Sequence, residues 1–237
     1  MVCQLSFPRL FLLDERVPAD FQKTLGKGYP HVETREVANF SFSVPGGTSL
    51  PFEKKVIYDF ISPDRAYVVS LCSEFIAFRA TKYVCWEDFF AHITAGVAAL
   101  YASYTIPNIS RVGLRYVNVI DRDGLGLGSE RWDDLIRNAA LGLMGDADLP
   151  ANDIVECASS TVLRLTKGSV VVRNGPFLEI GAKPIKYVID ADFFYDQPID
   201  DIKEAFSLLG EYNAAARNAF RWFIKEKLHD ALVSGPA

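Results

Sequence analysis

The chain has 237 residues, 49% of them hydrophobic and 23% charged, with a formal net charge of −5. That balance excludes a disordered or fibrous chain, which needs fewer apolar residues or a short repeat. The net negative charge argues against a broad nucleic-acid-binding face, and no stretch reaches the ~18 uncharged apolar residues of a membrane span.

Alternation with β-branched or aromatic content predicts strands, and recurrence every three to four residues predicts helices. Gln4 to Leu12 reads as a first strand and Pro18 to Leu25 as a short helix, ended by Gly26, Gly28 and Pro30. Pro18 suits the first helical turn, where its missing N–H costs nothing. A strand from Glu33 to Val44 runs into the loop-like tract Pro45 to Pro51. Lys54 to Ile61, Tyr67 to Cys72 and Phe75 to Thr81 then form a meander, with a type I turn at Ser62-Pro63-Asp64-Arg65. Trp86 to Tyr104 is the clearest helix, with Trp86, Phe89, Phe90, Ile93, Val97, Leu100, Tyr101 and Tyr104 forming one apolar stripe. Glu87 and Asp88 occupy its first turn, where the helix dipole favours negative charge.

Arg111 to Ile120 is the next strand, and Arg131 to Leu143 a short helix. Ile154 to Thr166 and Ser169 to Arg173 read as a hairpin about Lys167-Gly168, followed by a further turn at Asn174-Gly175-Pro176. Lys186 to Phe194 is the closing strand. The end is helical from Asp200 to Leu232, with Phe206, Leu209, Ala216, Phe220, Phe223 and Leu228 on its inner face. Gly210 is expected to kink or divide it.

Residues 1–107 and 108–237 share the order strand, short helix, three or four antiparallel strands, long helix, without a residue-by-residue repeat. The expectation is one α+β domain over 1–237: a mainly antiparallel, curved sheet covered on one face by the long helices, with two tandem β-α-β(3-4)-α halves as one arrangement that fits. That arrangement is similar to TATA-binding-protein-like and helix-grip folds, a likeness of fold that carries no function.

The segment Arg111 to Asp121 is the most informative. Alternation places Val112, Leu114, Tyr116, Asn118 and Ile120 on one face, and Arg111, Gly113, Arg115, Val117, Val119 and Asp121 on the other. Two arginines on one face can grip a carboxylate or phosphate through paired guanidinium donors. The simpler expectation is internal pairing: if the closing strand is a neighbour, its Asp190 and Asp192, which share a face, can bond Arg111 and Arg115. Two such aspartates alone make an incomplete site for a divalent cation, so no metal is expected. Tyr83 and Trp86 stand at a strand-to-helix corner, where they would wedge the helix onto the sheet or line an aromatic pocket.

Other chemistry is thinly supplied. The glycines of Asp121 to Ser129 lack dinucleotide-loop spacing, and Asp121, Asp123 and Glu130 would repel a pyrophosphate, so a flexible connection is expected. His31 lies beside a turn, His92 is expected to be exposed, and His229 suits a helix C-terminus. No nucleophile motif is present and no catalytic residue or cofactor is assigned. Arg217, Arg221, Lys225 and Lys227 form a basic face that Glu226 and Asp230 interrupt, which suits a solvated surface. Cys3, Cys72, Cys85 and Cys157 form no CxxC pair and read as reduced, mostly buried thiols of a cytoplasmic protein. Pro8 and Arg9 interrupt the apolar start, so no signal peptide is expected.

Tyr83, Trp86-Glu87-Asp88-Phe89 and Arg111-Val112-Gly113-Leu114-Arg115-Tyr116-Val117-Asn118 resemble a sporadically distributed prokaryotic family of roughly this length and unassigned function. Ile189 to Phe193 and Phe220 to Leu228 are similar to its closing strand and helix. The resemblance covers most of the chain after residue 55, while the first forty residues match in outline. Cys85 stands where members often carry Ser or Thr, better helix caps. The resemblance implies a prokaryotic, cytosolic accessory protein. The leading expectation is a non-catalytic binding or regulatory protein that partners another protein in a toxin–antitoxin or phage-defence-like module. The alternatives are a receptor holding a small anionic ligand through Arg111 and Arg115, and a metal-dependent hydrolase using Asp190 and Asp192.

Overall fold

In a computed structural model the described residues are 1–38, 54–146, 157–177 and 185–234. The loop-like tract Pro45 to Pro51 and the predicted strand start at Ile154 lie outside them. In chain order the elements are β1 (Val2–Ser6), α1 (Phe11–Glu15), α2 (Ala19–Leu25), β2 (His31–Ala38), β3 (Lys54–Ile61), β4 (Tyr67–Leu71), β5 (Phe75–Ala80) and α3 (Trp86–Ser103). They continue with β6 (Arg111–Ile120), α4 (Trp132–Leu135), α5 (Asn138–Leu141), β7 (Ser159–Arg164), β8 (Ser169–Phe177), β9 (Lys186–Tyr195), α6 (Ile202–Phe223) and α7 (Glu226–Ser234). The strands form an open antiparallel sheet in the order β2-β3-β4-β5-β1-β6-β9-β8-β7, the α+β class expected. The chain divides into two compact units, Met1–Gly113 with Asp196–Phe206, and Leu114–Tyr195 with Ser207–Ala237.

In the first unit, β2 to β5 are a meander, and β1 adds to β5 in antiparallel register from Val2↔Arg79 to Ser6↔Phe75. α3 lies close against β5: a Cβ at Gly96 would overlap the Phe78 ring. Of the stripe, Phe89, Ile93, Val97 and Leu100 are buried, Trp86, Phe90 and Tyr104 are half-buried and Tyr101 is exposed, so the helical period located the centre of the core face but made it too wide. The first strand is shorter than expected. Pro8 has no N–H for a ladder, and beyond Ser6 the chain instead bonds through Phe7 N–H to the Glu74 carbonyl and Leu10 N–H to that of Ser73 before α1 begins. The Ser62 turn closes with Arg65 N–H donating to the Ser62 carbonyl at 2.9 Å, and Arg65 adopts a left-handed φ of 58°.

In the second unit, β7, β8 and β9 form consecutive antiparallel pairs. The Lys167-Gly168 turn falls where expected. Gly168 has φ +86°, and a Cβ there would strike the Phe194 carbonyl and the Tyr212 hydroxyl. By contrast, Asn174-Gly175-Pro176 makes no turn but continues β8, paired with Ile189, Val188 and Tyr187. Pairing with β7 ends at Asn174, so Pro176 has one strand neighbour, a position that tolerates a missing donor.

α6 also runs through Gly210 unbroken, the helical hydrogen bonds outweighing a cost of about 1 kcal/mol. The division falls instead at Ile224, which forms a β-bridge with Ile136. Arg137 N–H donates to the Phe223 carbonyl and Lys225 N–H to that of Leu135. The same bridge splits the helix expected at Arg131 to Leu143 into α4 and α5. Tyr212 anchors α6 to the sheet, its ring 5.5 Å from that of Phe193 and its hydroxyl donating to the Lys167 carbonyl at 3.0 Å.

Candidate functional site

Burial along β6 follows the alternation: Val112, Leu114 and Ile120 are buried, whereas Arg115, Val117 and Val119 are exposed. Arg115 makes a two-pronged contact with Asp190, its Nε and Nη2 each donating at 2.7 Å to one carboxylate oxygen. Arg173 approaches the same carboxylate at 3.7 Å. This pairing is the main cause raising the Arg115 pKa above its ordinary value, opposed by burial, while the charges of Asp190 and Asp192 raise it further. Arg111 bonds Asp196 at 2.8 Å, a partner the strand pattern did not suggest because it lies beyond the end of β9.

Tyr116 and Asn118 lie on the face of β6 opposite Arg115. The Tyr116 hydroxyl donates to Asn213 Oδ1 on α6 at 2.7 Å, and the Asn118 amide makes a long 3.5 Å bond to the Ile189 carbonyl. Arg115 and Tyr116 therefore point to opposite sides of the sheet and do not converge on one ligand. In the first unit, Tyr83 sets its ring edge-on to Phe89 at 6.4 Å, and Trp86 stacks on Phe90 at 5.2 Å. Each ring thus packs on a ring of α3, Tyr83 on Phe89 and Trp86 on Phe90. Cys85 makes no side-chain capping bond to α3.

His92 is not exposed as expected. It is half-buried, shares a 2.6 Å hydrogen bond with the Tyr29 hydroxyl, and stacks on Tyr67 at 3.7 Å. The Tyr67 hydroxyl donates to Asp88. Burial lowers the His92 pKa, opposed by the charges of Asp88 and Asp64. The bond to Asp88 is the main cause pushing the Tyr67 pKa up to about 12. His229 stands inside α7 rather than at a helix end, where it contacts Arg221 and Asp230. Lys227 pairs with Glu130 at 2.5 Å, and Lys225 reaches the Asp133 carbonyl and Asn138.

The Asp121 to Ser129 connection, where a flexible link is expected, is a chain of hydrogen-bonded turns. Asp121 accepts from Gly124 N–H at 3.1 Å, and Arg122 Nη1 donates to the Glu130 carbonyl at 2.6 Å. Arg122 also lies over the Trp132 ring at 4.2 Å. All four cysteines are free thiols: Cys3 and Cys72 are buried, Cys157 is partly buried and Cys85 is exposed. Burial drives the Cys3 pKa far upward. Among the described residues no group of three His, Cys, Asp or Glu could hold a metal ion.

The second unit also contains a hollow of about 430 Å³ that the sequence reading missed. Leu163, Val170 and Val172 of the hairpin form one wall, and Ala215, Ala219 and Trp222 of α6 another. Its polar corner is built from Asn174, which is buried, and Ser159. The Ser159 hydroxyl donates to Asn174 Oδ1 at 2.7 Å, while Asn174 Nδ2 donates to the Ala140 carbonyl and the Tyr187 hydroxyl. A signal for it exists in the sequence: alanines four apart on α6, with bulky residues on its flanks, leave a gap over a strand pair. That signal needs the pairing of helix with hairpin to be read.

Comparison of the chain with protein-family profiles, characterised proteins and solved structures finds no match.

Proposed function

We propose that the chain is a non-catalytic binding protein. The observation that carries this reading is the hollow of the second unit: it has ligand size, yet among the described residues no acid, base or thiol lines it. The pairing of Arg115 with Asp190, and of His92 with Tyr29, supports the same view, because these polar groups already have internal partners. An anionic ligand gripped by Arg111 and Arg115 would have to displace Asp196 and Asp190. A metal held by Asp190 would have to displace two guanidinium groups.

The setting that goes with this reading is a cytoplasmic, prokaryotic accessory module of toxin–antitoxin or phage-defence type, in which the chain partners another protein. Four free thiols suit a reducing compartment. Co-purification of a tagged chain from its source organism tests the setting. The expected result is one protein recovered in stoichiometric amount and lost at no single arginine substitution. Recovery of the chain alone at every growth stage would overturn it.

A further inference from the structure

We propose that the hollow between α6 and the β7–β8 hairpin binds an uncharged, largely apolar small molecule with one hydrogen-bonding end. The inference deepens the binding-protein reading and rests on it for the absence of chemistry at the site.

The hollow exists because of residue size on α6. Tyr212, Ala216 and Phe223 are buried, so the helix packs firmly at those points. Ala215 and Ala219, four residues apart and hence on one face, carry side chains too short to reach the hairpin. Opposite them, alternation along β7 turns Ser159, Thr161 and Leu163 into the hollow. Leu163 is consequently 51% exposed and Trp222 50% exposed, although both line a recess in a packed unit. An occupant would cover both.

The chemistry of the walls selects the ligand. Among the described residues no charged side chain lines the hollow, so an ion placed inside it would lose its water without gaining a counter-charge from these walls. The volume of about 430 Å³ falls within the usual range for small-molecule sites. Three structural walls, the hairpin, α6 and the Ala139–Ala140 stretch of α5, enclose it, which suits a compact molecule better than a flat protein surface. At the polar corner Asn174 has both amide hydrogens engaged and its oxygen accepting from Ser159. The Ser159 oxygen keeps acceptor capacity, so a ligand hydroxyl or amide N–H is the group it would receive.

The test uses the full chain and the neutral fluorophore N-phenyl-1-naphthylamine, followed by probe emission and by quenching of Trp222. The expected result is saturable one-to-one binding, with 1-decanol displacing the probe about tenfold or more better than decanoate or decylammonium. Ala219→Phe, which fills the hollow, is expected to abolish binding while circular dichroism and Tm stay native. Should that variant fail to fold, Ala215→Leu takes its place. Trp222→Phe should keep binding and lose most of the protein-side quenching. Absence of saturable binding, retained binding in the filled variant, or preference for either charged competitor would each overturn the inference. Partner recovery from the source organism is read separately, so the site and the binding-protein setting can fail independently.

Discussion

Asp190 has a side chain only 9% exposed, and Arg115 covers it with two hydrogen bonds while remaining 48% exposed itself. Removing the arginine would strand a nearly buried carboxylate, a larger effect than losing a surface ion pair. Arg115→Ala is expected to cost about 1–2 kcal/mol, discounted for solvent on the arginine and for the nearby Arg173. Arg111→Ala, whose partner Asp196 is well exposed, should cost about 0–1 kcal/mol. Urea unfolding of both variants checks the contrast, and equal losses would contradict the role given to burial. His92 supplies a pH dependence. Burial holds its pKa below the ordinary 6.5, so the unfolded chain takes up this proton at higher pH than the folded one. The folded state binds fewer protons in that window, and stability falls as pH drops below 6.5. Tm measured between about pH 7.5 and pH 5.5 should decline, and His92→Gln should flatten the decline.

At the scale of elements, two glycines of opposite character separate local from tertiary causes. Gly168 is required by its left-handed backbone and by the Phe194 carbonyl and Tyr212 hydroxyl against it. Gly168→Ala is expected to destabilise by about 1–3 kcal/mol, read as a lowered Tm. Gly210 sits within α6 with nothing within 4 Å of a Cβ, so Gly210→Ala should stabilise by about 0.5–1 kcal/mol in urea unfolding. The elements most legible from sequence were those whose pattern matches one face to one neighbour, such as α3 and β6. Asn174-Gly175-Pro176 misled because turn chemistry is a local signal, while pairing with β9 is imposed from residues 187–189. The break at Ile224 misled for the same reason, since its bridge partner Ile136 lies 88 residues away.

For the whole molecule, β6 and α6 each contribute residues to both compact units. Far-UV circular dichroism and tryptophan fluorescence are expected to give one coincident urea transition; separated midpoints would show the units unfolding independently. Alternation and helical period determined by themselves the α+β class, the antiparallel meander and the buried faces of α3 and β6, and they narrowed an internal partner of Arg115 to Asp190 or Asp192 without choosing between them. Those features depend on intervals of two to four residues along the chain, which the order of the residues encodes directly. The tertiary structure alone decided the partner of Arg111, the burial of His92 against Tyr29 and Tyr67, the split at Ile224 and the hollow under Ala215 and Ala219. Each arises where segments distant in sequence meet, and a void or a pairing between such segments belongs to neither of them separately.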